Sequence, residues 1–204
     1  MGTTLTELQQ DALGEIFNIG VGRAAAGLSM IVNDEVLLSA PRVQLLPPSE
    51  VHQTLLGKEF QYFSTVSQDF TGPFDAKAVL VFPEANALTI VSHMLGDGIP
   101  PDELSEYEQE AMCEVGNIIL NACISALADL FKVSIEGSLP EHHFCNSDSI
   151  SFSGMNQEVV LVLQVDMSIC QEHIEGHLVF VLSVSSLENL IHHVDEYLKS
   201  QGLV

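Results

Sequence analysis

Residues 6–41, TELQQDALGEIFNIGVGRAAAGLSMIVNDEVLLSAP, return at 105–140 as SEYEQEAMCEVGNIILNACISALADLFKVSIEGSLP, at a constant offset of 99. Identical pairs are Glu7/Glu106, Gln10/Gln109, Ala12/Ala111, Glu15/Glu114, Asn18/Asn117, Ile19/Ile118, Leu28/Leu127, Ser39/Ser138 and Pro41/Pro140. Thr6/Ser105, Asp11/Glu110, Leu13/Met112 and Ile16/Val115 are conservative. Self-similarity on this scale marks a repeated structural unit. The remainder echoes more weakly: AKAVLVFPEANALTIVSHMLG (76–96) recurs as EGHLVFVLSVSSLENLIHHVDEYL (175–198). Turn-rich GDGIPPDE (96–103) separates the copies. The chain therefore reads as one domain, 1–204, made of two repeats, 1–98 and 99–204.

Both copies give the same elements. A capping box opens each long helix, Thr6 with Gln9 and Ser105 with Glu108. Apolar residues at helical spacing follow: Leu8, Ala12, Ile16, Ile19 and Leu28, then Met112, Val115, Leu120, Leu127 and Leu130. EVLLSA (35–40), RVQLL (42–46), FQYFSTVSQ (60–68) and AKAVLVF (76–82) read as strands in the first copy. KVSIEG (132–137), VVLVLQVDM (159–167) and HLVFVL (177–182) do so in the second. Each copy closes on a helix, 84–95 and 186–200, the latter with Ser185 and Glu188 as a further capping box. Long helices around successive strands predict an α+β fold: an antiparallel sheet covered by long helices, with pseudo-two-fold symmetry.

Composition narrows the partners. Six Lys and Arg against 28 Asp and Glu give a net charge of −22, yet 47% of residues are hydrophobic and mean hydropathy is +0.28. Such an apolar chain can build a core and is not disordered. Arg23, Arg42, Lys58, Lys77, Lys132 and Lys199 are the whole basic set. That is too little to neutralise phosphates, so no nucleic acid is expected, and an anionic membrane surface is disfavoured. No uninterrupted apolar run reaches a membrane span, and MGTTLTELQQD reads as no signal peptide. Cys113, Cys123, Cys145 and Cys170 lack CxxC spacing and read as reduced thiols of a cytoplasmic protein.

The polar residues kept by both copies form Glu-x-x-Asn: Glu15 with Asn18, and Glu114 with Asn117, each followed by proline 23 residues beyond the Asn. On a helix, i and i+3 share a face about 5–6 Å apart. Asp11 and Gly22 extend that face in the first copy, Glu110 and Asn121 in the second, as a polar stripe where a partner can dock. Asn is a mediocre helix former, so holding it mid-helix twice favours function over a merely solvated face. Pro41 and Pro140 are assigned to strand starts. The glycines of NIGVG have no strand before them and suit close approach of a helix or partner better than a nucleotide. His142/His143, His173/His177 and His192/His193 read as structural: on a strand, His173 and His177 would stand about 13 Å apart, too far to share a metal.

Asp-x-x-x-Glu-x-x-Asn with its distal proline, in DALGEIFNIGVGRAAAGLS and EAMCEVGNIILNACISALADLF, resembles the CheC/CheX/FliY phosphatases of bacterial chemotaxis. The two-copy architecture is most like that of CheC. Glu110 and Arg23 depart from the family's usual residues, so the first site fits the pattern better. The resemblance implies hydrolysis of the aspartyl phosphate of a phosphorylated CheY-like response regulator. Asn18 and Asn117 would orient the attacking water, and Glu15 and Glu114 would receive a regulator lysine. Asp11, Gly22, Glu110 and Asn121 would dock the partner. No metal or cofactor of its own is implied, Mg²⁺ being expected in the regulator. CheD is a further partner the resemblance allows, and monomer and homodimer stay open. The alternative is a non-catalytic regulator-binding or flagellar-switch-like module on the same fold.

Overall fold

A computed structural model describes residues 4–55, 61–96, 100, 103–150, 158–169 and 172–203. The first half contributes α1 (Glu7–Val32), β1 (Val36–Leu38), β2 (Arg42–Leu46), α2 (Pro48–Leu55), β3 (Tyr62–Thr71), β4 (Ala76–Pro83) and α3 (Glu84–Leu95). The second contributes α4 (Leu104–Phe131), β5 (Glu136–Gly137), β6 (Glu141–Asn146), β7 (Glu158–Ile169), β8 (Glu172–Ser183) and α5 (Val184–Ser200). All strand pairings are antiparallel, in one eight-stranded sheet ordered β1-β7-β8-β4-β3-β5. β2 continues the β1 edge along β7, and β6 continues the β5 edge along β3. The order is a palindrome in which each half's edge strands lie on the other half's sheet.

The repeated serines explain how those edges hold. Ser39 N–H donates to the Asp166 carbonyl (2.8 Å), and Asp166 N–H donates back to Ser39 Oγ (2.9 Å). Ser138 does the same with Asp69, at 2.8 and 3.0 Å. Pro41 and Pro140 directly precede β2 and β6, as expected of residues that fix strand starts.

α1 begins at the predicted capping box: Gln9 N–H donates to Thr6 Oγ1 (3.2 Å) and Thr6 N–H to Gln9 Oε1 (2.9 Å). It ends at Asn33, and α4 ends at the equivalent Lys132, both left-handed (φ 52° and 57°). α1 buries Leu13, Ile16, Phe17, Val21 and Leu28, and α4 buries Met112, Val115, Leu120, Cys123 and Leu127, against Leu161, Leu163, Leu178 and Phe180 of the sheet. Phe17 stacks on Phe180 at 5.4 Å between ring centroids. By length and composition alone both helices could cross a membrane. Here each lays its apolar face on the sheet, leaving Asp11, Glu15, Glu110 and Glu114 outside. Val160, Val162, Val179 and Val81 line the opposite sheet face, where Val51 of α2 covers them.

Three expectations are corrected. Ser105 lies inside α4, whose N-cap is Glu103 with no side-chain hydrogen bond. Glu108 turns inward instead of capping: Ser64 Oγ and Glu108 Oε1 face His142 Nε2 at 2.8 and 3.5 Å, with the acid and imidazole side chains both 8% exposed. α5 is capped by Ser183, which accepts from Ser186 N–H, so Ser185 is within the helix. α2 and β6 were not anticipated, and only Glu136–Gly137 of KVSIEG pairs as strand. Cys123 is buried, its thiol pushed up to about 12 by desolvation, and Cys113 and Cys145 are half-buried and free. Cys170 lies outside the described residues.

The two long helices touch where Gly20 meets α4: a Cβ there would stand 2.7 Å from Cys123 Cα. From Gly20 to Gly27 the neighbour on α4 steps back from Cys123 to Ile118, so the helices run in opposite senses. Gly20→Ala should cost about 1–3 kcal/mol and lower Tm by several degrees. Gly14, with nothing within 4 Å of its Cβ position, should gain about 0.5–1 kcal/mol as Gly14→Ala in the same calorimetric comparison.

Burial pulls the Glu108 carboxyl upward, but hydrogen bonds to His142 and Ser64 and the His142 charge outweigh it and hold it below the usual carboxylate range. A carboxyl depressed on folding stabilises fully above its unfolded pKa and loses that contribution as pH falls through the folded one. Tm should therefore drop on acidification below about pH 5, and Glu108→Gln should flatten that slope. His142→Leu, which strands a buried carboxylate, should cost about 3–5 kcal/mol at pH 7 in denaturant unfolding.

Candidate functional site

Helical spacing carries the polar residues outward. Asp11, Glu15, Asn18 and Gly22 are exposed on α1, opposite the face packed on the sheet. Glu110, Glu114 and Asn117 are exposed on α4, and Asn121 is half-buried. Both Glu-x-x-Asn pairs thus stand on the solvent side of the helical layer. Gly20 makes the helix contact, whereas Gly22 has nothing within 4 Å and leaves its surface open.

The first pair opens onto a cleft of about 550 Å³ between α1 and the segment leading into β2. Asp11, Glu15 and Asn18 form one wall, Pro41 and Arg42 the other. Gln10 Nε2 donates to the Val43 carbonyl and so ties the walls together. Pro41 is buried, giving a rigid side to the cleft. Arg42, exposed at the mouth, was not singled out from sequence; its place directly after the repeated proline was the available signal.

The second pair is built differently. Asn121 Nδ2 donates to Asn117 Oδ1 (2.8 Å) and to the Asn117 carbonyl (2.8 Å), and approaches Gln68 Oε1 at 3.4 Å. Gln68, 4% exposed, anchors its own Nε2 on the Ser138 carbonyl at 2.5 Å. Sequence reading missed Gln68, although a polar residue alternating with Val66 and Phe70 on the core face was a signal. Behind this site Cys113 Sγ lies 3.8 Å from the Pro140 carbonyl, and Leu139 is 84% exposed where the first copy has Ala40. Glu141 takes the position of Arg42, 4.0 Å from His143.

Three other histidines make local contacts. His173 lies 3.5 Å from Glu175, His93 lies 3.7 Å from Glu172, and His193 stacks on Phe131. Among the described residues no group of three or more His, Cys, Asp or Glu converges as metal ligands would.

Comparison with known proteins bears on the fold and the family. The family described as "Chemotaxis phosphatase CheX" matches residues 64–164. The CheY-P phosphatase CheC of Bacillus subtilis (strain 168) is 25% identical over 199 residues, covering 91% of this chain and 93% of that protein. The flagellar motor switch phosphatase FliY of the same organism is 28% identical over 138 residues, which is 67% of this chain but 35% of FliY. The chain thus spans about a third of that relative's length. The crystal structure of Thermotoga maritima FliY superposes with a TM-score of 0.79 at 23% identity, over 96% of this chain and all of that one. In its antiparallel sheet, its helical layer and these relatives, the chain resembles the CheC/CheX/FliY chemotaxis phosphatases.

Proposed function

We propose that this protein hydrolyses the aspartyl phosphate of a CheY-like response regulator, using the exposed Glu15/Asn18 and Glu114/Asn117 pairs. The observation that carries the reading is that both pairs project into solvent from the outer faces of α1 and α4, although most of the repeat has diverged. An aspartyl phosphate is an activated acyl phosphate, so its hydrolysis calls chiefly for positioning and charge stabilisation. An Asn amide offers one acceptor and two donor hydrogens without titrating, which suits it to orient water in line with phosphorus. The water oxygen bonds to phosphorus as the bond to the regulator's aspartyl oxygen breaks. The aspartate leaves as carboxylate, and the water's proton passes to phosphate or solvent.

Glu15 and Glu114, one turn away, supply the carboxylate that a regulator lysine would meet in a charge-assisted hydrogen bond. Asp11 and Glu110 extend each docking face, and Gly22 leaves room for close approach. Mg²⁺ and the phosphorylated Asp are the regulator's groups in this reading. The relatives' chemotaxis and flagellar-switch roles support a cytoplasmic setting, and CheD is a second candidate partner.

Phosphate release from a phosphorylated CheY-like regulator tests this with wild type, Asn18→Ala, Asn117→Ala and the double variant. The double variant should still bind but lose about 10²-fold in acceleration, each single change removing only its own site's share. A wild type no faster than spontaneous decay overturns the reading in favour of a binding module. Glu15→Gln combined with Glu114→Gln should raise KM about five- to tenfold with little change in kcat, by loss of lysine docking.

A further inference from the structure

The two copies keep the same Asn but hold it in different ways. At the second site a polar chain runs from the Ser138 carbonyl through Gln68 and Asn121 to Asn117. Each amide's orientation follows from the next. A carbonyl only accepts, so the Gln68 end at Ser138 is Nε2, which turns Oε1 toward Asn121. Three acceptors crowd one end of Asn121, the Asn117 carbonyl, Asn117 Oδ1 and Gln68 Oε1, which makes that end its NH₂. Asn117 Oδ1 is thereby pinned through one lone pair. Its second lone pair and its own NH₂ remain available on the exposed face.

Among the described residues the first site has no equivalent chain. Gly22 stands where Asn121 would be, and matching the Ser39–Asp166 bonds to the Ser138–Asp69 bonds makes Val165 the counterpart of Gln68. The Val165 side chain is apolar, and the Asn18 side chain has no hydrogen-bond partner among the described residues. We infer that Asn121 and Gln68 are positioning residues that hold the Asn117 amide in its working rotamer, so the second site is preorganised and the first is not. This rests on the phosphatase reading above. Preorganisation removes a rotamer-ordering cost at the chemical step, so it affects kcat rather than docking.

The test uses the full chain with Asn18→Ala, so that turnover reports the second site alone. Asn121→Asp keeps shape but puts an acceptor where a donor is required. It should lower kcat about five- to tenfold, with KM changed less than twofold and Tm little changed. Gln68→Val, which copies the first site, should lower kcat in the same direction. In ¹⁵N-labelled protein, Asn121→Asp should also shift the Asn117 side-chain amide resonances. In the reciprocal Asn117→Ala background, Gly22→Asn introduces a donor one turn from Asn18 and should raise kcat a few-fold. A kcat unchanged by Asn121→Asp overturns the inference while leaving the phosphatase reading intact. So does complete loss of activity in Asn18→Ala alone, since the second site would then be idle. A wild type without acceleration overturns both.

Discussion

Each half of the sheet is closed by the edge strands of the other half, and the rest of the molecule depends on that exchange. β1 and β2 finish the sheet on β7, while β5 and β6 finish it on β3. At both edges a repeated serine makes a two-way hydrogen bond to an aspartate backbone across the exchange. The first cleft is walled by a segment whose strand is paired on the second half. At the second site, Gln68 of the first half supports Asn121 and Asn117 of the second. The first cleft is lined by first-half residues but held through β7, and the second site borrows Gln68, so the halves form one cooperative unit with many long-range contacts to close.

Helix packing sets how the sites face outward. With no side chain at Gly20, α1 and α4 approach backbone to backbone, and most of their large apolar residues turn to the sheet. Each helix then has one face left over, and the acidic residues occupy it. The net charge of −22 is largely a solubilising coat on an apolar chain. Asp11, Glu15, Glu110 and Glu114 differ from the rest only in sharing a face with an amide. Their meaning comes from that geometry, not from the total charge.

Local signals were legible in the sequence where one residue or one period decides the outcome. Thr6 with Gln9 marks the start of α1, and the span 84–95 is α3 as read. The strand runs are apolar on both faces because both faces are covered, by the helical layer and by α2. The errors fall where a distant residue outbids a local one. Ser105 and Glu108 have the spacing of a capping box, but His142 and Ser64 on the sheet draw Glu108 inward. Ser183 offers the same hydroxyl as Ser185 two residues earlier, and the helix starts there. β6, EHHFCN, lacks alternation and becomes a strand by pairing with β3. That Glu-x-x-Asn shares one exposed helix face was legible, whereas Gln68, reaching that face from another element, was not.

Divergence between the copies is concentrated around the residues they share. Asn18 and Asn117 persist, as do Glu15 and Glu114, while Gly22 has become Asn121, Arg42 has become Glu141, and Ala40 has become Leu139. The first cleft therefore has a cation at its mouth and an unheld amide, and the second has an added carboxylate, an exposed leucine and a fixed amide. Neutral drift at solvent-exposed positions would not connect one of these replacements to a buried glutamine anchored on a backbone carbonyl. A buried polar chain has a desolvation cost unless every member is satisfied, and here Gln68 and Asn121 satisfy one another and end at Asn117. The direction of that chain, from the exchanged edge toward the repeated amide, makes the second site a construction of both halves rather than a copy of the first.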